Sequence, residues 1–527
     1  MPPYFVKLAT HEFSTGKIAY LIYWNPISTT SMKHDLRLGN RRRKGLAAAR
    51  ISIFFFVSAT AVTAFNYFIF ATVGSPLPSG VSFAQIPVAK LHSTHAISYI
   101  EALYSTPVTL HYAESTFQID PKDVDFTVNG KAMLQQLNLP TLPIRFWNTL
   151  NSRTSSQSHQ NIPLKATYSQ HKLRAFLENV SQRYDRPPFS PWADPERLVT
   201  VVSPPGWILN VEDSIPVVEA ALFRPNKRSA TLVPTSQASP EPDISILDTQ
   251  LHNYIKLRNF DGLLSMYFVH LNTNTVLHRN WMHAEALPTG PGIAFSGMSI
   301  IKITLLAEFY RQVTENALPY ELDLVSKAVT ESSNWTSNIL INWIGDLDSS
   351  RGIQRLNQSY ELLGMHSTFI GGLYDTEDPP GFRHTPANTR KDINTRPDPY
   401  MQTTVADIGR LLQGIYLCAQ NRSGLLTDIF ELQFTPNECA DMLDWLSNNR
   451  IGVLLEAGVP EGTRVAHKHG WGDGEPIGDA GVIYSPGVDY VLVYYLWSPD
   501  YTYWDENSLL LADVSKAVYY FVNPITP

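Results

Sequence analysis

Residues 295–304 read FSGMSIIKIT. Ser299 stands three residues before Lys302, where an apolar run begins, and that spacing puts both side chains on one face of a helix. Taken alone the pair fits an ordinary amphipathic helix with a solvated lysine. It also fits a nucleophile beside its base. A serine hydroxyl attacks a carbonyl only when a neighbour removes its proton. Lysine can serve only if its pKa falls well below the usual value of about 10.4, which desolvation or a second nearby cation achieves.

Two further stretches bear on the choice. ESSNWTSNILIN (331–342) contains Ser332-Ser333-Asn334, and HKHGW (467–471) contains Lys468-His469-Gly470 on a strand that leads into a hairpin. In order these are S-x-x-K, S-x-N and K-x-G. The trio resembles the serine β-lactamases and penicillin-binding proteins, whose signatures are S-x-x-K, S-D-N and K-T-G. FSGMSIIKI parallels that superfamily's entry into its central helix, and GDAGVIYSP (478–486) parallels the strand pairing after K-x-G. The likeness runs over residues 244–527, more than half of the chain, and is closest in motif order to the class A β-lactamases.

The resemblance implies a role for each matching residue. Ser299 would be the nucleophile and Lys302 its base, with Lys468 as the second cation. Ser332 would relay a proton to the leaving nitrogen, and Asn334 would orient the acyl side chain. The backbone N–H groups of Ser299 and Trp471 would hold the oxyanion, and Gly470, lacking a side chain, would let substrate approach closely. His469 stands where the superfamily has a threonine that binds the substrate carboxylate; an imidazole can donate there, with a charge that depends on pH. His467 lies on the opposite strand face from Lys468 and reads as packing. Ser333 in place of Asp alters a structural support. The E-x-x-L-N glutamate that activates the deacylating water in class A enzymes has no counterpart between Asn338 and Thr403, which leaves Glu377, Asp375, Asp378 and Asp392 as candidates.

The surrounding pattern is α+β: an antiparallel sheet built from both ends of residues 244–527 and flanked by helices. ILDTQLHNYIKL (246–257) reads as a helix, GLLSMYFVHLNTNTVLHRN (262–280) as two strands about a turn, and SLLLADVSKAVYYFV (508–522) as a closing helix. Residues 233–243, rich in Pro, Ser and Thr, read as a linker. Residues 75–232 read as a smaller mixed α/β domain. Its hairpin (107–120), short helix after Asn129 and G-x-x-L-x-V-x-x-S-I segment loosely resemble a peptidoglycan-binding domain of bacterial envelope proteins, and a plain spacer fits equally well.

Charge divides the chain. The net charge is −7, yet residues 1–50 hold nine Lys/Arg against two acidic residues, leaving the remainder at −14. So acidic a body excludes a nucleic-acid partner, since no surplus of cations neutralises phosphates. The basic tail, residues 1–46 with Met32 a candidate start, precedes an uncharged stretch, Ile51–Val73, inside an expected transmembrane segment at 47–74. About 20 such residues span a bilayer core, and a cleavable signal's apolar region is shorter. Flanking Lys and Arg hold that end in the cytoplasm. The expectation is a single-pass protein of the bacterial cell membrane with its catalytic domain outside.

Cys418 and Cys439 are the two cysteines. Outside the cytoplasm they would form one bond closing a short loop or remain two buried thiols. No cofactor or metal is implied. The expected function is an active-site-serine hydrolase that opens a β-lactam or a D-Ala-D-Ala-like amide of a peptidoglycan stem peptide through an acyl-enzyme. A D,D-carboxypeptidase of peptidoglycan maturation, and a catalytically weak wall-binding or β-lactam-sensing module, are the alternatives.

Overall fold

The computed structural model describes residues 43–73, 76–137, 139–150, 159–313, 317–377, 382–449 and 451–527. Most of the basic tail, Met32 and Asp378 lie outside the described residues. The chain divides into two units, one comprising residues 1–103 and 128–165, the other 104–127 and 166–527.

In the first unit a helix, Arg43–Val73, contains one stretch, Ile51–Thr72, long and apolar enough to cross a membrane. Its Phe54, Phe55 and Phe56 rings are exposed. Val81–Phe83 pairs with Ile86–Pro87 and with Gln160–Ile162. The short helix expected after Asn129 is Gly130–Gln135, and the Asn129 side chain caps it by accepting from Ala132 N.

The second unit opens with the expected hairpin, Val108–Tyr112 against Ser115–Ile119. Ser169 and Asn210 cap the helices Gln170–Tyr184 and Val211–Leu222. The first of these ends just before Pro187, which cannot continue a helix. Within the Pro/Ser/Thr-rich stretch at 233–243, Pro234–Gln237 forms a strand paired with Gly206–Leu209.

The centre of this unit is a six-stranded antiparallel sheet. Its order is Glu285–Leu287, Val276–Met282, Leu263–His270, Tyr490–Trp497, Ile477–Ile483, Val465–Gly470. Both ends of residues 244–527 contribute, as the alternating patterns imply. The strand Tyr490–Trp497 is buried along its whole length because helices cover both faces. Val491, Val493 and Tyr495 pack into one core, while Tyr490, Leu492, Tyr494 and Leu496 pack into the other. Successive strand side chains point to opposite faces, so one strand serves two cores.

The first core surrounds the helix Lys302–Val313, which is buried on almost every side. Its buried polar residues each have a partner in the core: Lys302 donates to Ser332 O, Thr304 hydrogen-bonds Tyr360 and Glu308 accepts from Ser359. A small sheet in which Met401–Thr403 pairs with Phe295–Ser296 and with Phe369–Ile370 fixes the chain just ahead of it.

Cys418 and Cys439 form a disulfide joining the buried helices Val405–Ala419 and Pro436–Ser447, which settles the question left open by the sequence. The bond closes a loop with a sequence separation of 21 residues, and a cross-link of that span stabilises a fold by about 3 kcal/mol. Replacing both cysteines by alanine is expected to lower the unfolding free energy by about 2–4 kcal/mol in a denaturant titration, with the adjoining core slightly underfilled.

Candidate active site

Ser299 lies in a run of hydrogen-bonded turns, with the helix proper starting at Lys302. Ile301 N donates to Gly297 O, Lys302 N to Ser299 O and Ile303 N to Ile300 O. The tight turns still set Ser299 beside the first helical residue. Met298 just before it has φ 45°, and Ser332 and Asp375 have φ 60° and 52°. Three side-chain-bearing residues in the left-handed region within one small site store strain that the surrounding packing must hold.

Lys302 is fully buried, so the solvated-lysine reading fails. Its Nζ donates to Ser332 O at 2.6 Å, to Asn334 Oδ1 at 2.8 Å and to Ser332 Oγ at 3.4 Å. Ser332 Oγ in turn donates to Ser299 Oγ at 2.7 Å. The lysine thus connects to Ser299 through Ser332, where the sequence spacing implies direct adjacency. Burial, and then the charge of Lys468, push the Lys302 pKa down to about 7, with Asp375 opposing. Near neutral pH a large share of Lys302 is therefore a free amine. A neutral amine has two N–H groups and one lone pair. Keeping the two short bonds leaves the lone pair facing the longest contact, Ser332 Oγ, and a proton path from Ser299 to Lys302 is complete once both hydroxyls turn, Ser332 to donate to Lys302 and Ser299 to donate to Ser332.

Ser332 and Asn334 flank Ser333, which caps the helix Asn334–Ile344 with its side chain accepting from Thr336 N. The residue that departs from S-D-N therefore has a local structural task. Asn334 is a bridge: its Oδ1 accepts from Lys302, and its Nδ2 donates to the Asp375 carboxylate at 3.1 and 3.3 Å.

Lys468, His469 and Gly470 lie on Val465–Gly470, the last strand of the sheet. Lys468 is fully buried, donates to His469 O at 3.2 Å, and has its pKa lowered to about 8 by burial. His469 shares a strand face with His467, their rings 6.2 Å apart, and lies opposite Asp479. Burial, then Lys468, lower its pKa to about 4, so it brings no positive charge to the site at neutral pH.

His467 is buried with Nδ1 2.9 Å from both Asp479 carboxylate oxygens. Burial by itself would lower its pKa, but Asp479 and Glu456 outweigh it and the net shift is upward. It packs, as the strand pattern implies, but as half of a buried ion pair. A Cβ on Gly470 would lie 3.1 Å from Ser299 N and 2.9 Å from Met298 Cβ, so the bare edge of this strand abuts the Ser299 amide. The Trp471 side chain is exposed and packs tilted against Trp504 with ring centroids 5.1 Å apart.

The loop after Ile370 brings two more groups. The Tyr374 hydroxyl donates to Met298 O at 3.1 Å, and its ring lies 4.9 Å from Lys302 Nζ. Asn338 clamps it, accepting from Tyr374 N at 2.8 Å and donating to Tyr374 O at 3.0 Å. Asp375 follows, held by Asn334. Of the other loop carboxylates, Asp392 is engaged by Arg390, which lowers its pKa to about 2, and Glu377 is exposed. Sequence reasoning did not single out Tyr374. Its one signal was Asn338, four residues after Asn334 and hence on the same helix face.

Residues 320–522 match the model of the beta-lactamase enzyme family. That stretch holds Ser332, Asn334 and Lys468 and begins after Ser299 and Lys302. Together with the fold described above, this match makes the C-terminal part of the chain similar to the beta-lactamase enzyme family. No curated protein matches the chain. Solved structures that match include PBP-A, at 21% identity over 54% of this chain and 99% of that one, with a TM-score of 0.39. A β-lactamase from Sphaerobacter thermophilus DSM 20745 matches at 19% identity over 54% and 100%, with a TM-score of 0.39. An ancestral class A β-lactamase of Gram-negative bacteria matches at 21% over 52% and 98%, with a TM-score of 0.36.

Proposed function

We propose that the domain is a serine hydrolase that opens β-lactam or D-Ala-D-Ala-like amides through an acyl-enzyme on Ser299. The observation that carries this reading is the hydrogen-bonded path Ser299–Ser332–Lys302, ending on a lysine whose pKa is about 7. Ser299 Oγ attacks the carbonyl carbon while its proton passes through Ser332 to the Lys302 amine. The oxyanion forms against Ser299 N and Trp471 N, beside the bare Gly470. The same proton returns through Ser332 to the leaving nitrogen as the C–N bond breaks, and the acyl group remains as an ester. Protonated Lys468 sustains the field that keeps Lys302 neutral and attracts a substrate carboxylate. The Val465–Gly470 strand ends the sheet, so a substrate chain can lie along its outer edge, where His467 O and His469 O already accept from Asn449 Nδ2 and Lys468 Nζ.

For deacylation the reading assigns Asp375, steered by Asn334, as acceptor of a proton from the attacking water. Tyr374 favours a second reading, a D,D-peptidase with a long-lived penicilloyl adduct, because its ring fills the space above Lys302 close to the nucleophile. Asp375→Asn separates the two. Under the first, the half-life of the penicilloyl adduct rises at least about tenfold, in line with loss of a general base; under the second it is unchanged. Incubation with benzylpenicillin and with a D-Ala-D-Ala peptide tests the whole proposal: neither an adduct nor product in either case would sink it.

The pH dependence has a definite sign. Lys302 must be neutral and Lys468 charged, so acylation is expected to rise as pH passes about 7 and fall above about 8, with the two limbs belonging to the coupled pair. A stopped-flow profile from pH 5 to 10 checks it, and a flat profile would contradict the relay.

The Ile51–Thr72 helix supports a single-pass anchor in a bacterial cell membrane. The flanking basic residues and a disulfide, which persists in oxidising compartments, support an extracytoplasmic site. Residues 75–232 would then serve as a peptidoglycan-binding or spacer region, with peptidoglycan stem peptides or β-lactams as the substrates.

A further inference from the structure

Beyond Gly470 the edge strand runs into a surface unlike the rest of the domain. Trp471, Tyr501 and Tyr503 are 56%, 38% and 60% exposed. They are organised: Trp471 packs tilted against Trp504, Tyr501 tilted against Tyr503 at 4.7 Å, and Tyr501 packs on Gly474, where a Cβ would touch its ring at 3.3 Å. The Tyr501 hydroxyl donates to Asp473 Oδ1. Clustered rings left in water beside Ser299 suit recognition, since an exposed apolar cluster has a cost unless something covers it.

Charge says what covers it. From Trp471 to Glu506 the sequence contains no Lys, Arg or His. Asp473, Glu475, Asp500, Asp505 and Glu506 are exposed in the turn and loop that carry the rings. The cation bordering them is Arg396, whose guanidinium donates to Pro499 O. Aromatic faces ringed by carboxylates suit a positive group, which gains both from the ring quadrupole and from the acids. An anionic group would be repelled by these carboxylates.

We propose that this aromatic and acidic rim is the specificity surface for an ammonium group carried by the substrate, such as the side-chain amine of a diamino acid or the α-amine of a penicillin side chain. The proposal rests on the acyl-enzyme reading. A substrate chain lying along the Val465–Gly470 edge passes Trp471 as it leaves the nucleophile, and an amine there meets the rings of Trp471 and Tyr501 and the carboxylate of Asp473. Aryl or sugar groups that merely stack are the competing occupants.

The test compares ampicillin with benzylpenicillin, which differ by one ammonium group, and Nα-acetyl-Lys-D-Ala-D-Ala with its Nε-acetylated form, on the full chain. The expected result is acylation about tenfold faster for each amine-bearing member at low salt, the sum of an exposed cation–π contact and a carboxylate contact. The ratio should fall towards one at about 0.5 M salt, where exposed charges are screened. Asp473→Asn with Asp505→Asn should lower the ratio at low salt, and Trp471→Phe should lower it less. Equal rates for both members, or a preference for the neutral one, would overturn the rim proposal and leave the acyl-enzyme reading standing. No acylation by any of the four compounds would strike at the acyl-enzyme reading itself.

Discussion

Replacing Lys302 by methionine is expected to end acylation and make the protein more stable. The rate loss follows from removing the base at the end of the Ser299–Ser332 path, which typically contributes 10²- to 10⁴-fold (about 3–5 kcal/mol). The stability gain follows from burial. Lys302 has a folded pKa near 7 against the ordinary lysine value of 10.5. Protonating it in the folded state is thus costlier than in the unfolded state, by about 1.4 kcal/mol per unit of pKa. That penalty is fully present below pH 7, shrinks as pH rises from about 7 to 10.5, and vanishes above. Methionine relieves it but leaves Ser332 O and Asn334 Oδ1, on half-buried residues, without their donor, at about 1–2 kcal/mol each. The net gain expected at pH 6 is about 1–3 kcal/mol, read as a higher Tm, and it turns into a loss as pH rises towards 10 and the penalty falls below the cost of the two missing hydrogen bonds. A variant that loses stability at pH 6, or still acylates at a tenth of the normal rate, would contradict the assignment.

The second large effect is expected at Gly470. Alanine there places a methyl 3.1 Å from Ser299 N and 2.9 Å from Met298 Cβ. Met298 already holds φ 45° and has little freedom to yield, so the edge strand must move outward by a few tenths of an ångström. The strand carries Trp471 N, one of the two assigned oxyanion donors. Losing one such donor costs about 10²–10³ in rate. The fold should lose only about 1–3 kcal/mol, as for other overpacked positions. Gly470→Ala is therefore expected to cut the acylation rate constant about a hundredfold while circular dichroism stays that of the wild type. A variant acylating within threefold of wild type would show that the gap beside Ser299 N is not used.

The residues that sequence order exposed and those it hid differ for a physical reason. Lys302, Asn334 and Lys468 lie on regular elements, where spacing along a helix or strand fixes direction, and Ser299 and Ser332 stand within three residues of a helix start. The sheet was legible likewise: Leu263–His270, Val276–Met282 and the Gly-rich hairpin alternate at period two. Tyr374 and Asp375 arrive on a long irregular loop, which has no periodicity to read, and only the Asn338 and Asn334 side chains reveal where it docks. The indirect coupling of Lys302 through Ser332 was also hidden. It depends on the left-handed turn at Ser332, a conformation that residue type alone does not announce. Asp479 closes its ion pair with His467 from a neighbouring strand, so only the register of Val465–Gly470 against Ile477–Ile483 could place it.

The central claim is that Ser299 takes an acyl group. Intact-protein mass spectrometry after mixing with benzylpenicillin, followed by peptide mapping, measures it directly. The account predicts one added penicilloyl group per chain, carried on the peptide containing Ser299 and absent in Ser299→Ala. An adduct on another residue, or one that persists in Ser299→Ala, would contradict it.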